Sequence, residues 1–133
     1  MRKHDWPERL QSTVDKYQRA DFVYGKTDCW LFVTECVAAV CHNTLYTEAL
    51  GDGYKSLKQS LKSMKKAYGV KRYIDLPDAF FIRTGIPTAR RGDIVQRGKA
   101  LGICMGRTSL FLNEDEGMVH VPTSQCQRAW RVE

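Results

Sequence analysis

With 133 residues, 43% of them apolar and 27% charged, the chain is long enough to bury one hydrophobic core and too short for two. It is expected to form a single domain over residues 1–133, and its ordinary composition excludes a disordered or low-complexity chain. A net charge of +6 suits an anionic neighbour such as nucleic acid, a cell-wall polymer or an acidic protein surface, and no stretch approaches the roughly 20 apolar residues of a membrane-spanning helix.

The first residues, Met1-Arg2-Lys3-His4-Asp5-Trp6, are charged and lead into an amphipathic pattern, so they predict no signal peptide. Asp5, then Pro7 in the first turn and Glu8 three after the cap, form a helix-start signature. Trp6, Leu10, Val14 and Tyr17 follow at spacings of 4, 4 and 3, one buried stripe of a first helix. After a loop over residues 20–27, Asp28 is placed to cap a second helix, Cys29–Val40. Trp30, Leu31, Phe32, Val33, Val37 and Val40 make that helix apolar on most faces, which marks it as central.

Gly51 and Gly53 punctuate a turn. Leu57, Leu61, Met64 and Tyr68 then predict a third amphipathic helix with Lys55, Lys58, Lys62, Lys65 and Lys66 outward, ended by Gly69. A short helical piece is expected over 76–82, with Pro77 restricting its start. From Gly92 the period changes. Residues 94–96, 101–105, 109–112 and 118–121 are short, β-rich and separated by glycines and the 113–117 turn, so they read as an antiparallel meander. Helices first and strands second predict an α+β domain, N-terminal helices packed on a C-terminal antiparallel sheet.

The segment Tyr24-Gly25-Lys26-Thr27-Asp28-Cys29 delivers a cysteine to the first position of the buried helix. Free amides and the dipole at that end stabilise a thiolate and supply donors for an oxyanion, which is what a nucleophilic cysteine needs. A buried, inert thiol suits the same position, and the local sequence leaves both readings open. Five cysteines, an odd number, fit free thiols in a reducing cytoplasm rather than a disulfide framework. Cys36, Cys41, His42, Cys104 and Cys126 include no Cys-x-x-Cys pair, so no metal is expected. With no phosphate-binding glycine loop either, no cofactor is expected, and nucleic-acid binding would rest on charge alone.

Phe22-Val23-Tyr24-Gly25, Asp28-Cys29 and Phe32-Val33 resemble the Tyr-x-x-Gly … Asp-Cys-Ser-Gly-Phe-Val motif of the NlpC-type, papain-like cell-wall cysteine peptidases. Arg91-Gly92-Asp93-Ile94-Val95, Leu101-Gly102-Ile103-Cys104-Met105-Gly106 and Met118-Val119-His120-Val121 resemble three strands of the same family. Asp28-Cys29, Arg91-Gly92-Asp93, the Leu-Gly-Ile strand and Ala129-Trp130-Arg131-Val132 are similar to a phage and prophage family of this fold, encoded among tail genes near the tail tip.

The resemblance implies a papain-like α+β fold, with Cys29 matching the nucleophile and His120 the residue that orients the general base. Asp28, Trp30 and Tyr24 stand at the implied binding site. The position of the base itself is Ala100. Phe22 replaces the motif tyrosine, and Trp30-Leu31 replace the Ser-Gly after the cysteine. An imidazole must reach the sulfur for hydrolysis. His42 lies 13 residues beyond Cys29, about 20 Å along one helix, and His4 opens the first helix, so His120 is the remaining candidate, as base or as a structural strand residue. Two functions follow from the resemblance. One is a non-hydrolytic tail-tip assembly protein of the virion, made in the host cytoplasm and contacting other tail proteins. The other is a cysteine hydrolase acting on peptidoglycan through Cys29 and His120.

Overall fold

The computed structural model describes residues 1–23, 27–43, 66, 69 and 72–133. Two helices, α1 (Trp6–Arg19) and α2 (Cys29–Val40), come first. Six strands follow: β1 (Arg83–Thr84), β2 (Ile94–Arg97), β3 (Ala100–Cys104), β4 (Thr108–Asn113), β5 (Gly117–Pro122) and β6 (Arg128–Trp130). They form one antiparallel sheet in the order β1-β6-β2-β3-β4-β5, so the fold is α+β with its helices N-terminal. Of the expected third helix all but Lys66, which is helical and exposed, lies outside the described residues.

α1 buries Leu10, Val14 and Tyr17 as the spacing predicts. Its start differs in one detail. Asp5 makes no side-chain cap; its carboxylate instead accepts from Arg9 Nε at 2.8 Å. Asp28 does cap α2, its Oδ1 accepting from the backbone N–H groups of Trp30 (3.1 Å) and Leu31 (2.9 Å). α2 packs on α1 on one side and on β3 and β4 on the other. Two-sided burial is why it carries apolar residues nearly all round.

β2 to β5 form the expected meander, with registers such as Ile94↔Ile103 and Ile103↔Leu110. β6 and β1, which the sequence pattern did not reveal, extend it on the other side. β6 lies between β1 and β2, with Trp130 opposite both Arg83 and Ile94. The helical piece expected over 76–82 is a 3-10 turn, Tyr73–Ala79, with Pro77 inside it rather than at its start. A tighter turn bonds differently and tolerates the proline there.

Alternation along the strands gives the sheet two apolar faces. Ile94, Leu101, Ile103, Leu110, Leu112 and Trp130 point toward α1 and α2. Val95, Cys104, Phe111, Val121 and Ala129 point away and form a second cluster with Cys126. On that far face the Phe111 ring lies over Gly102, where an added Cβ would stand 2.6 Å from Phe111 Cδ2 and 2.3 Å from the Leu110 carbonyl oxygen. No other residue fits at position 102 without parting β3 from β4.

The two ends of the chain meet at Asp93, which is fully buried just before β2. Its Oδ1 accepts from Arg2 Nη2 (2.9 Å) and from the Val132 backbone N–H (3.0 Å). Its Oδ2 accepts from the Arg90 N–H (3.0 Å) and faces Arg131 Nε at 3.5 Å. Arg2 also donates to the carbonyls of Val132 (2.9 Å) and Arg91 (2.6 Å) and lies 4.4 Å from the centre of the Trp6 ring. Gly92 is required beside it: its φ is +94°, and a Cβ there would come within 3.1 Å of Arg2 Nη1.

Removing one partner of a buried ion pair leaves the other uncompensated, at a cost of about 3–5 kcal/mol. Asp93→Ala is therefore expected to lower the urea-unfolding free energy by roughly that amount. A loss below about 1 kcal/mol, the value of an exposed pair, would show that the clasp contributes little.

Candidate functional site

The head of α2 gathers most of the residues singled out from sequence. Thr27 closes the preceding loop, its N–H donating to the Val23 carbonyl (2.8 Å) and its hydroxyl accepting from the Val23 N–H (3.1 Å) and donating to the Asp21 carbonyl. Tyr24 lies outside the described residues. Asp28 is buried and serves as the cap. Cys29 follows, partly buried against the helix-facing core.

Trp30 belongs to the interior. It is 4% exposed, and its ring stacks on Tyr73, centroid to centroid 4.7 Å at a tilt of 33°. The Tyr73 hydroxyl oxygen accepts the Leu101 backbone N–H at 3.0 Å. Thus the 3-10 turn Tyr73–Ala79 is docked on β3 beside the thiol. Asp28 and Trp30, expected at a binding surface, are both spent on internal contacts. Sequence reasoning passed over Tyr73, because nothing local marks a tyrosine 44 residues from Cys29 as its neighbour.

The surroundings of the thiol disfavour its ionisation. Burial, above all, pushes the Cys29 pKa up to about 12, and the charge of Asp28 adds to it. The backbone amides of Cys29 and Trp30 act in the opposite direction, as expected at a helix start, but are outweighed; Glu114, in the β4–β5 turn, raises it further. Of the two readings that the local sequence leaves open, the raised pKa favours the buried thiol. A helix N-terminus favours a thiolate, but burial in apolar surroundings opposes it.

The histidines do not offset that opposition. His120 stands opposite Leu110, and Leu110 opposite Ile103, so His120 is on the sheet face that carries α2. It is exposed, and among the described residues it has no hydrogen-bond or ion-pair partner. His42 follows the far end of α2, and His4 precedes α1; both are exposed. Ala100 departs further from expectation. It packs against the second cluster, with Phe111, Val119 and Val121, on the face turned away from α2. A histidine at position 100 would start from the wrong side of the sheet. It would also be two strands and three residues from His120, about 14 Å, and on the opposite face. Among the described residues no group of three or more His, Cys, Asp or Glu side chains is arranged to hold a metal ion.

The model of a family described as a domain of unknown function, DUF6950, matches residues 1–132. No curated protein and no solved structure matches the chain.

Alkylation reads the thiolate directly. In the folded protein, iodoacetamide modification of Cys29, followed by peptide mass spectrometry, should be at least about 100-fold slower at pH 7.5 than in urea, where the thiol returns to its ordinary range. The rate should keep rising about tenfold per pH unit to pH 10, with no plateau. A plateau below pH 8 would mean an activated thiol.

Proposed function

The chain belongs to the DUF6950 family, and we propose that its domain is a degenerate papain-like fold of the NlpC type that serves as a structural component of a phage tail, at the tail tip. The observation that carries the non-hydrolytic half is the state of Cys29: a thiol pushed up to about 12, beside a Trp30–Tyr73 stack, with no imidazole bonded to it among the described residues. Nucleophilic attack needs a base within reach of the sulfur. A central helix with cysteine at its N-terminus, laid across an antiparallel sheet, supports the papain-like reading.

The tail role rests on the sequence resemblance around Asp28-Cys29, Arg91-Gly92-Asp93, Leu101-Gly102-Ile103 and Ala129-Trp130-Arg131-Val132, and is an argument by analogy. On this reading the protein is made in the host cytoplasm, joins the virion and contacts other tail proteins. Hydrolysis of peptidoglycan is the rival reading. It is favoured only by the placement of His120 on the same sheet face as α2.

Purified virions of a phage that encodes the chain should contain it in the tail fraction by mass spectrometry; its absence from virions removes the tail role. Incubation with purified sacculi should release no muropeptides. Release that depends on both Cys29 and His120 would establish the hydrolase instead. Ala100→His is expected to stay inactive in the same assay, because position 100 faces away from the thiol.

A further inference from the structure

β5 ends the sheet, paired with β4 on one side only. The Thr123 N–H donates to the Arg107 carbonyl at 2.8 Å, which fixes the phase of the ladder. Bonding alternates along antiparallel strands, so Gly117, Val119 and Val121 turn their backbone groups toward β4. Met118 and His120 turn theirs outward, and Pro122 turns out its carbonyl. Among the described residues no strand lies on that side.

Natural edge strands are usually blunted by charges, bulges or proline, because a bare row of donors and acceptors recruits another strand. Here residues 118–121, Met-Val-His-Val, carry no Lys, Arg, Asp or Glu. Only Pro122, at the last position, blunts the edge. The charges sit beyond the two ends. Asp115 and Glu116 are exposed in the turn that precedes β5, and Arg107 is exposed beside Thr123, at its other end. Among the described residues none of the three has an ion-pair partner. Glu116 and Arg107 also share a sheet face, each lining a hollow on the side away from the helices.

We propose that two copies of this chain pair through the outer edges of β5, antiparallel about a two-fold axis normal to the sheet, so that the sheet continues from one copy into the other. The charge pattern selects this occupant. Antiparallel pairing sets the acidic turn of each copy beside Arg107 of the other, on one face, whereas parallel pairing would set like charge beside like. A patch complementary to itself is what a two-fold interface requires. With His120 opposite His120, the two residues exchange both backbone bonds at the axis. On each side the Met118 N–H meets the Pro122 carbonyl, while the Met118 carbonyl receives no strand bond in return because proline has no N–H, so the paired stretch ends there. The pairing does not rest on the tail reading.

Sedimentation equilibrium of the purified chain at low salt, where charge pairs are least screened, is expected to give a dimer. Arg107→Glu, and separately the double variant Asp115→Arg/Glu116→Arg, should each weaken association at least about tenfold. An equimolar mixture of the two variants should recover it as a heterodimer, since the reversed charges match again. His120→Pro removes an outward N–H, which an edge strand tolerates; it should leave the circular dichroism spectrum intact and the chain monomeric. A wild-type chain that stays monomeric up to about 1 mM overturns the proposal. So do charge-reversed variants that dimerise like wild type, or a mixture that fails to re-form a dimer.

Discussion

A carboxylate without access to water must have its oxygens matched, and Asp93 meets that demand with groups drawn from both ends of the chain. Arg2 brings the segment that precedes α1, and the Val132 N–H brings the segment that follows β6. The backbone of the same residue extends the bracing. Its carbonyl accepts the Cys104 N–H (2.9 Å), and the neighbouring Gly92 N–H donates to the Cys104 carbonyl (2.8 Å). One residue thus pins the start of β2 to the end of β3 and to the stretch after β6. Arg2 also reaches the α layer, since the N-terminal segment bonds along the end of α2, with the Lys3 N–H on the Val40 carbonyl at 2.8 Å. Burial lowers the Arg2 pKa from its ordinary value and Asp93 opposes that; an arginine stays charged under either pull.

Register follows from this bracing, and register decides which face each side chain meets. A slip of one residue in β3 would turn Ala100, Gly102 and Cys104 toward the helices and Leu101 and Ile103 away. The Phe111 ring over Gly102 resists that slip sterically, since every alternative neighbour carries a side chain. The placement of Ala100 on the far face is therefore a property of the whole sheet. No single substitution at that position brings a base to the thiol.

The parts of the fold legible in the sequence were those set by local signals. The stripe of α1, the cap and extent of α2, and the glycine-punctuated meander β2 to β5 were all read from short windows. What could not be read is set at long range. β6 is three residues with an arginine at its head and becomes a strand only because β1 and β2 flank it. Tyr73 becomes part of the Cys29 environment only when its turn docks on Leu101. The face of position 100 was equally hidden, because a motif gives a strand's residues but not the register that aims them. Asp5 failed as a cap for a local reason, competition from Arg9 four residues on.

The Asp28-Cys29 pair, which reads as the motif of a nucleophile, also serves the fold. α2 is buried along most of its length, so its first amides have little access to water, and an unmet donor there would be costly. Asp28 answers two of them. The charge that makes it a good cap also stands next to the sulfur and disfavours a thiolate, so at this helix start capping and activation work against each other. Burial and the Asp28 charge together outweigh the amides, an environment that suits a small apolar side chain filling space. Trp30 follows the same logic: in place of a small residue that would leave a groove open, its ring closes against Tyr73 and ties the head of the helix to the sheet.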